Sequence, residues 1–284
     1  MTKSGSIIEI ITIGREILDG RVVDTNASTI GQFLSSRGLT PRFGQRVDDS
    51  FDRICNAFEI ASARSQIVIV TGGLGPTSDD ITAEAFARFS NSDLQLNQEA
   101  LENVEKIFKA INLNMSDIQK KQAILPVGSQ ILHNTVGTAP GFSFNHKNVH
   151  WFFTPGVPHE MSTMMENEVL PKLPKLEDFR TETWLTQFTS EGQLGQELKT
   201  VEDLLEYGFE ITYRTKFPEN HIGLCGQCDS SEKTLLFNSL SQKITSILGK
   251  RAFAHTDLPL VGQHTVTLPK IVIELLDSKK TFLG

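Results

Sequence analysis

The chain has 284 residues, of which 39% are hydrophobic and 21% charged, with a formal net charge of −7. That is the composition of a globular protein with a buried core, and the length suggests about two domains. The acidic balance speaks against broad nucleic-acid binding, no run approaches the ~18 apolar residues of a membrane span, and Cys55, Cys225 and Cys228 make no disulfide framework. No apolar segment of signal-peptide length precedes the first strand, so a cytoplasmic location is expected, with no membrane and no nucleic-acid partner.

Ile7 to Ile13 is β-branched and ends at Gly14, the pattern of a strand buried on both faces. After Asp24-Thr25-Asn26, the residues Ala27, Ile30, Phe33 and Leu34 recur at helical spacing, and Gly38 stops that helix. A second strand is expected from Pro41 to Val47, then a helix with Ile54, Phe58 and Ala61 on one face, then a third strand from Gln66 to Thr71. This alternation predicts an α/β domain, a mostly parallel sheet with covering helices. Further helices are expected at 80–90, 97–111, 116–124 and 158–170, Trp151-Phe152-Phe153 reads as a core strand, and Asn145 to Asn148 as a turn. Pro171 and Pro174 mark a linker. Beyond it, strands near 181–189, 209–215 and 220–227 and helices near 191–206 and 231–248 predict a smaller α+β unit. A tail runs through Pro259 and Pro269 into a short apolar helix, Ile271 to Leu276. Domains are therefore placed at 1–172, 173–256 and 257–284.

In open parallel sheets ligands bind outside the carboxyl ends of the strands. Three such ends carry acids: Glu16 after the first strand, Asp48 and Asp49 after the second, Asp79 and Asp80 after the third. Brought to one edge, Glu16, Asp49, Asp79 and Asp80 would attract a divalent metal cation, which takes one or two carboxylates plus phosphate oxygens. The segment Thr71 to Asp80, TGGLGPTSDD, holds three glycines that let N–H groups turn towards an anion. It satisfies neither the dinucleotide fingerprint nor the Walker pattern, whose Lys is replaced by acids. A purely structural reading is a tight turn with a capping box between Thr77 and Asp80. The two are compatible, since a capped helix start is itself an anion site.

Gly14 to Gly20 (GREILDG), Asp24-Thr25-Asn26, the Thr71 to Asp80 loop, Asn134 to Gly141 (NTVGTAPG) and Pro155 to Met161 (PGVPHEM) resemble, in this order, the N-terminal domain of the CinA family of competence- and damage-inducible proteins. The resemblance covers roughly residues 7–170. From there to about 255 it rests on element order and resembles the family's small KH-like domain. It implies a three-layer fold of the molybdopterin-binding type, shared with MoaB and MogA, which hold a phosphorylated pterin. It also implies hydrolysis of the pyrophosphate bond of ADP-ribose or a related nucleotide sugar to AMP and ribose 5-phosphate, with a divalent metal. On that likeness Gly72, Gly73, Gly75 and Thr77 would cradle phosphate, Asp24, Asn26 and Asn134 would hold ribose or base, Asp79 and Asp80 would serve the metal, and Asp80, Asp49 and Glu16 the chemistry. Arg15, Thr154 and Val157 depart from the family pattern; Arg15 would either assist a phosphate or fill the pocket.

Leu268 to Gly284 resembles only the first helix of the family's nicotinamide mononucleotide amidase module, so amidase activity is not expected. Cys225-Gly-Gln-Cys228 has redox-pair spacing, but with no βαβ unit behind it no redox or metal role is assigned. His146 and His150 flank a turn and share no helical face, and helix 97–111, with Glu99, Glu102, Glu105, Lys106 and Lys109, reads as a solvated face. The alternatives to catalysis are pterin or nucleotide binding without turnover, or an assembly domain. A homodimer is implied by the resemblance, and the apolar tail helix with Ile271, Leu275 and Leu276 adds a reason, since burying each such side chain is worth roughly 1.5–3 kcal/mol.

Overall fold

The computed structural model describes residues 6–35, 37–110, 112–174, 178–187, 189–202, 205, 208–216 and 219–256. They divide into two compact units, one within Met1–Leu34 and Leu39–Pro174, the other within Ser35–Gly38 and Lys175–Gly284.

The larger unit runs β1 (Ile8–Ile13), α1 (Arg15–Leu18), α2 (Thr25–Ser35), β2 (Pro41–Val47), α3 (Phe51–Arg64), β3 (Ile67–Thr71), α4 (Thr82–Ser90), β4 (Leu94–Leu96), α5 (Gln98–Ala110), α6 (Asp117–Lys120), β5 (Ile124–Pro126), β6 (Gln130–Leu132), β7 (Gly141–His146), β8 (Val149–Thr154) and α7 (Pro158–Met164). Its main sheet has the order β2-β1-β3-β8-β7-β6, with β2, β1, β3 and β8 parallel and β7 antiparallel to both its neighbours. This is the expected α/β architecture with a mostly parallel sheet. β1 and β3 read as unbroken apolar runs because both faces are covered. One face packs Ile11, Val70 and Phe153 against Phe58 of α3 and Phe86 of α4. Alternation turns Ile10, Ile69 and Phe152 to the other face, on the side where α2 buries Ile30 and Leu34 and α7 buries Met161 and Met164. The aromatic cluster is dense: Phe86 and Phe153 have centroids 4.6 Å apart, and Phe58 meets Trp151 edge-on at 5.5 Å.

Two expectations are corrected. The helix expected at 116–124 is α6 alone. It tightens into a 3₁₀ turn at Lys121–Ala123 and gives way to β5, which pairs with β4 in a two-stranded sheet. The helix expected at 158–170 is α7 followed by a π turn, Met165–Val169, and a 3₁₀ turn at Leu170–Lys172. The turn at Asn145–Asn148 closes the β7–β8 hairpin, with Lys147 and Asn148 at φ 49° and 63°.

The smaller unit runs β9 (Phe179–Gln187), α8 (Glu191–Glu202), β10 (Glu210–Lys216), β11 (Glu219–Gln227), α9 (Ser231–Leu248) and β12 (Ala252–Thr256). Its sheet, β10-β11-β9-β12, is antiparallel throughout. Trp184 packs with Leu194 and Leu198 of α8 and Phe237 and Ile244 of α9, and its indole N–H donates to Thr245 Oγ1 at 3.0 Å. The apolar tail helix expected at 271–276 lies outside the described residues.

Candidate functional site

The parallel register sets the strand ends level: Ile13 of β1 pairs with Val47 of β2, Thr12 with Thr71 of β3, and Thr71 with Thr154 of β8. The loops beyond them line one cavity of about 520 Å³, open to solvent and large enough for a nucleotide-sized molecule. Three of those loops are the strand ends whose acids the sequence singled out. The fourth, Pro155 to Glu160, follows β8 and joins them only because β8 lies beside β3.

Gly72 and Gly73 take φ 107° and 68°, conformations that favour glycine. A Cβ on Gly72 would stand 2.2 Å from the Ile13 carbonyl oxygen, and one on Gly73 2.2 Å from Thr82 Oγ1, so neither position has room for a side chain. Gly72 lines the cavity, but its N–H is spent on the Thr154 carbonyl at 3.1 Å. The N–H groups of Gly73, Leu74 and Gly75 meet no acceptor among the described residues, and all three residues line the cavity.

Thr77 and Asp80 do not form a capping box. Helix α4 starts at Thr82 with Ile81 at its cap position and no side-chain cap. Instead the Thr77 N–H donates to Asp80 Oδ2 at 2.9 Å, and the Thr77 hydroxyl lies 2.6 Å from the same oxygen and against the Asp79 carboxylate. Asp80 thereby pins a turn, and Gly75 is needed because a Cβ there would meet Asp80 Oδ2 at 2.4 Å. Lys121 ties the turn from outside, donating to the carbonyls of Thr77 and Asp80 at 2.7 Å each. Thr77 is exposed and is scaffold in this turn, while Asp79 and Asp80 line the cavity.

Asp49 Oδ2 accepts the Arg15 main-chain N–H at 3.0 Å. Burial raises its pKa above the ordinary carboxylate value, the Arg15 hydrogen bond opposes this, and the negative charges of Glu16 and Asp79 raise it further. The hydrogen bond from the Thr77 hydroxyl instead lowers Asp79. Glu16, Asp49, Asp79 and Asp80 thus line the cavity together, and no lysine, arginine or histidine is among the described residues that line it. The Arg15 side chain does not fill the pocket: it is exposed, with Nε 3.7 Å from Asp19.

Three expected ligand residues are committed elsewhere. Asp24 accepts the Ala27 N–H at 2.9 Å, capping α2, and pairs with Arg46 at 2.9 Å, away from the cavity. Asn26 is buried and donates to Thr71 Oγ1 and to the Gly156 carbonyl. Asn134 accepts the N–H groups of Val136 and Gly137 and donates to the Ala139 carbonyl and Glu160. All three hold the walls in place. Conversely, Gln122, Thr138 and Glu160 line the cavity and were not singled out. Glu160 lies within a family-like segment, but no spacing in the chain signals that it faces the glycine loop. In the smaller unit, burial pushes the Cys225 thiol up to about 11 and raises Cys228 as well, the opposite of an activated redox pair.

Fold and cavity define a three-layer α/β domain whose polar cleft lies at the carboxyl edge of the sheet. Residues 9–175 match the family described as probable molybdopterin binding domain. The crystal structure of the protein CinA with unknown function from Thermoplasma acidophilum is 36% identical and superposes with a TM-score of 0.55, covering 60% of this chain and 99% of that one. The putative competence-damage inducible protein of Caldicellulosiruptor saccharolyticus is 36% identical over 95% of this chain and 64% of its own length. The CinA-like protein of Desulfosudis oleivorans is 35% identical over 90% of this chain and 63% of its own. The chain therefore belongs to the CinA family, its larger unit being a probable molybdopterin binding domain. It spans less than two thirds of the length of these curated relatives. Among the described residues no helix is long and apolar enough to cross a membrane.

Proposed function

We propose that the chain hydrolyses the diphosphate bond of ADP-ribose or a related nucleotide sugar with the help of a divalent cation. One observation carries the reading: a single cavity sets three acceptor-free N–H groups, at Gly73, Leu74 and Gly75, among carboxylates, with no basic side chain among its described lining residues. The N–H groups suit anionic oxygens. The carboxylates would repel a bare phosphate and suit a hard cation. Among the described residues no three His, Cys, Asp or Glu side chains form a ready metal cage. This donor set fits a cation whose shell phosphate oxygens complete, with Asp79 and Glu16 as its holders. When bound, such a cation supplies charge neutralisation at the diphosphate.

The chain's own residues do the rest. The Gly73–Gly75 amides orient the phosphate, and the Asp80 turn, tied by Lys121, keeps them in place. Asp49, which lines the cavity and keeps one oxygen on the Arg15 main-chain N–H, is the carboxylate left to accept the proton of the attacking water. The water oxygen bonds to one phosphorus, the bridging P–O bond breaks, and AMP and ribose 5-phosphate leave. Purified chain incubated with ADP-ribose and magnesium or manganese is expected to release AMP, and chelation to stop it. Absence of AMP under all divalent metals would sink the hydrolase. The second reading, binding of a phosphorylated pterin or nucleotide without turnover, is favoured by the missing three-ligand cage, and would then show as calorimetric binding without product. A homodimer is part of the proposal on the family resemblance, and light scattering across a concentration series tests it.

A further inference from the structure

Two acceptors that line the cavity have no part in the phosphate chemistry. Gln122, in the turn Lys121–Ala123, lines the cavity and is 5% exposed, and its Oε1 is buried with no hydrogen-bond donor among the described residues. Its Nε2 donates to Thr138 Oγ1 at 3.4 Å, a long bond that leaves the carbonyl as the unsatisfied atom. Glu160, from the fourth loop, also lines the cavity. Asn134 Nδ2 donates to Glu160 Oε2 at 2.6 Å, and no described donor meets Oε1. The carboxylate is seated against Gly137, where a Cβ would stand 2.2 Å from Oε2. A buried acceptor without a donor is costly and is relieved only by a ligand that brings one.

Phosphate oxygens bring no donor to these acceptors. A sugar brings adjacent hydroxyl donors, and a carboxylate is a suited acceptor for them. We infer that Glu160 and Gln122 read the ribose, accepting hydrogen bonds from the vicinal hydroxyls of a nucleotide whose phosphate lies on the neighbouring Gly73–Gly75 amides. The inference rests on the nucleotide reading above. It moves sugar recognition away from Asp24, Asn26 and Asn134, none of which lines this cavity.

Calorimetry on the full chain with magnesium, using AMP, 2′-deoxy-AMP and inorganic diphosphate as probes, tests it. Wild type is expected to bind AMP about tenfold or more tighter than 2′-deoxy-AMP, the measure of a hydrogen bond to a charged group. Glu160→Gln, which keeps an acceptor for Asn134, should bring the two nucleotides within about threefold while diphosphate affinity stays unchanged. Gln122→Leu should narrow the gap as well, without lowering the melting temperature, since it removes an orphaned acceptor. Equal wild-type affinities would overturn the proposal, as would a gap that survives both substitutions. Diphosphate binding with no nucleotide preference refutes the sugar reading alone. Failure of all three probes to bind refutes the phosphate reading beneath it too.

Discussion

Glu9 stands midway along β1, wholly buried, and both of its carboxylate oxygens are met: Arg64 Nε and Ser65 Oγ donate to Oε2 at 3.0 and 2.9 Å, and Gln45 Nε2 donates to Oε1 at 2.8 Å. Arg64 also stacks over Phe43, 4.0 Å from the ring centroid. Asp49, just past the end of β2 in the same sheet, has one main-chain N–H, its pKa is raised by burial and then by two carboxylates, and no basic side chain is among the described residues of its cavity. A buried charge with its partners in place belongs to the architecture. One left short of partners, at a strand end beside free amides, is available to something the chain does not itself contain.

The comparison breaks most visibly at Glu9. Replacing it with Ala strips Arg64 of its partner, and urea unfolding should show a loss of about 3 kcal/mol, the low end for a broken buried pair because Arg64 is 35% exposed and can rehydrate. Turnover per folded molecule should not change. Asp49→Asn should do the reverse, lowering AMP release about 100-fold or more with no loss of stability at neutral pH. The sign follows from the direction of its shift. An acid whose pKa is raised on folding favours the folded state below its ordinary value of 3.8, and that contribution disappears as pH rises through the raised value. Stability-against-pH curves of the two proteins should therefore diverge just above the ordinary carboxylate range, the variant being the flatter. A variant markedly less stable at neutral pH would place Asp49 with Glu9 as an architectural charge. Lys121→Met is the mildest case. Losing two charge-assisted bonds to the 77–80 turn should cost about 1–2 kcal/mol and weaken magnesium-dependent diphosphate binding severalfold, read by calorimetry.

How far the sequence alone reached follows from the same physics. β1 and β3 were legible because strands covered on both faces need uninterrupted apolar residues. β4 was not, since Leu94–Leu96 is a three-residue strand exposed along its length, and neither was β12, where Ala252–Thr256 is at most half-buried. The glycine loop and its acids were legible because positive φ and close approach leave a mark in residue type. The polar residues were hardest to place wherever a donor and an acceptor far apart in the chain find each other. Asp24 meets Arg46, Asn26 meets Gly156, and Asn134 meets Glu160, so side chains that read as ligands also hold the fold. Gln122 and Glu160 reach the cavity from separate stretches of chain, which only the sheet order brings together.

Asn26 has a mechanical consequence. Its one amide group donates at 3.0 Å to Thr71 and at 2.8 Å to Gly156, while the Thr71 hydroxyl donates to the Pro155 carbonyl at 2.8 Å. The glycine loop begins directly after Thr71, and the opposite wall begins at Pro155, so a strut one side chain long sets the gap between them. The spacing of these two loop starts is thus held by bonds inside the fold, beneath the residues that line the cavity.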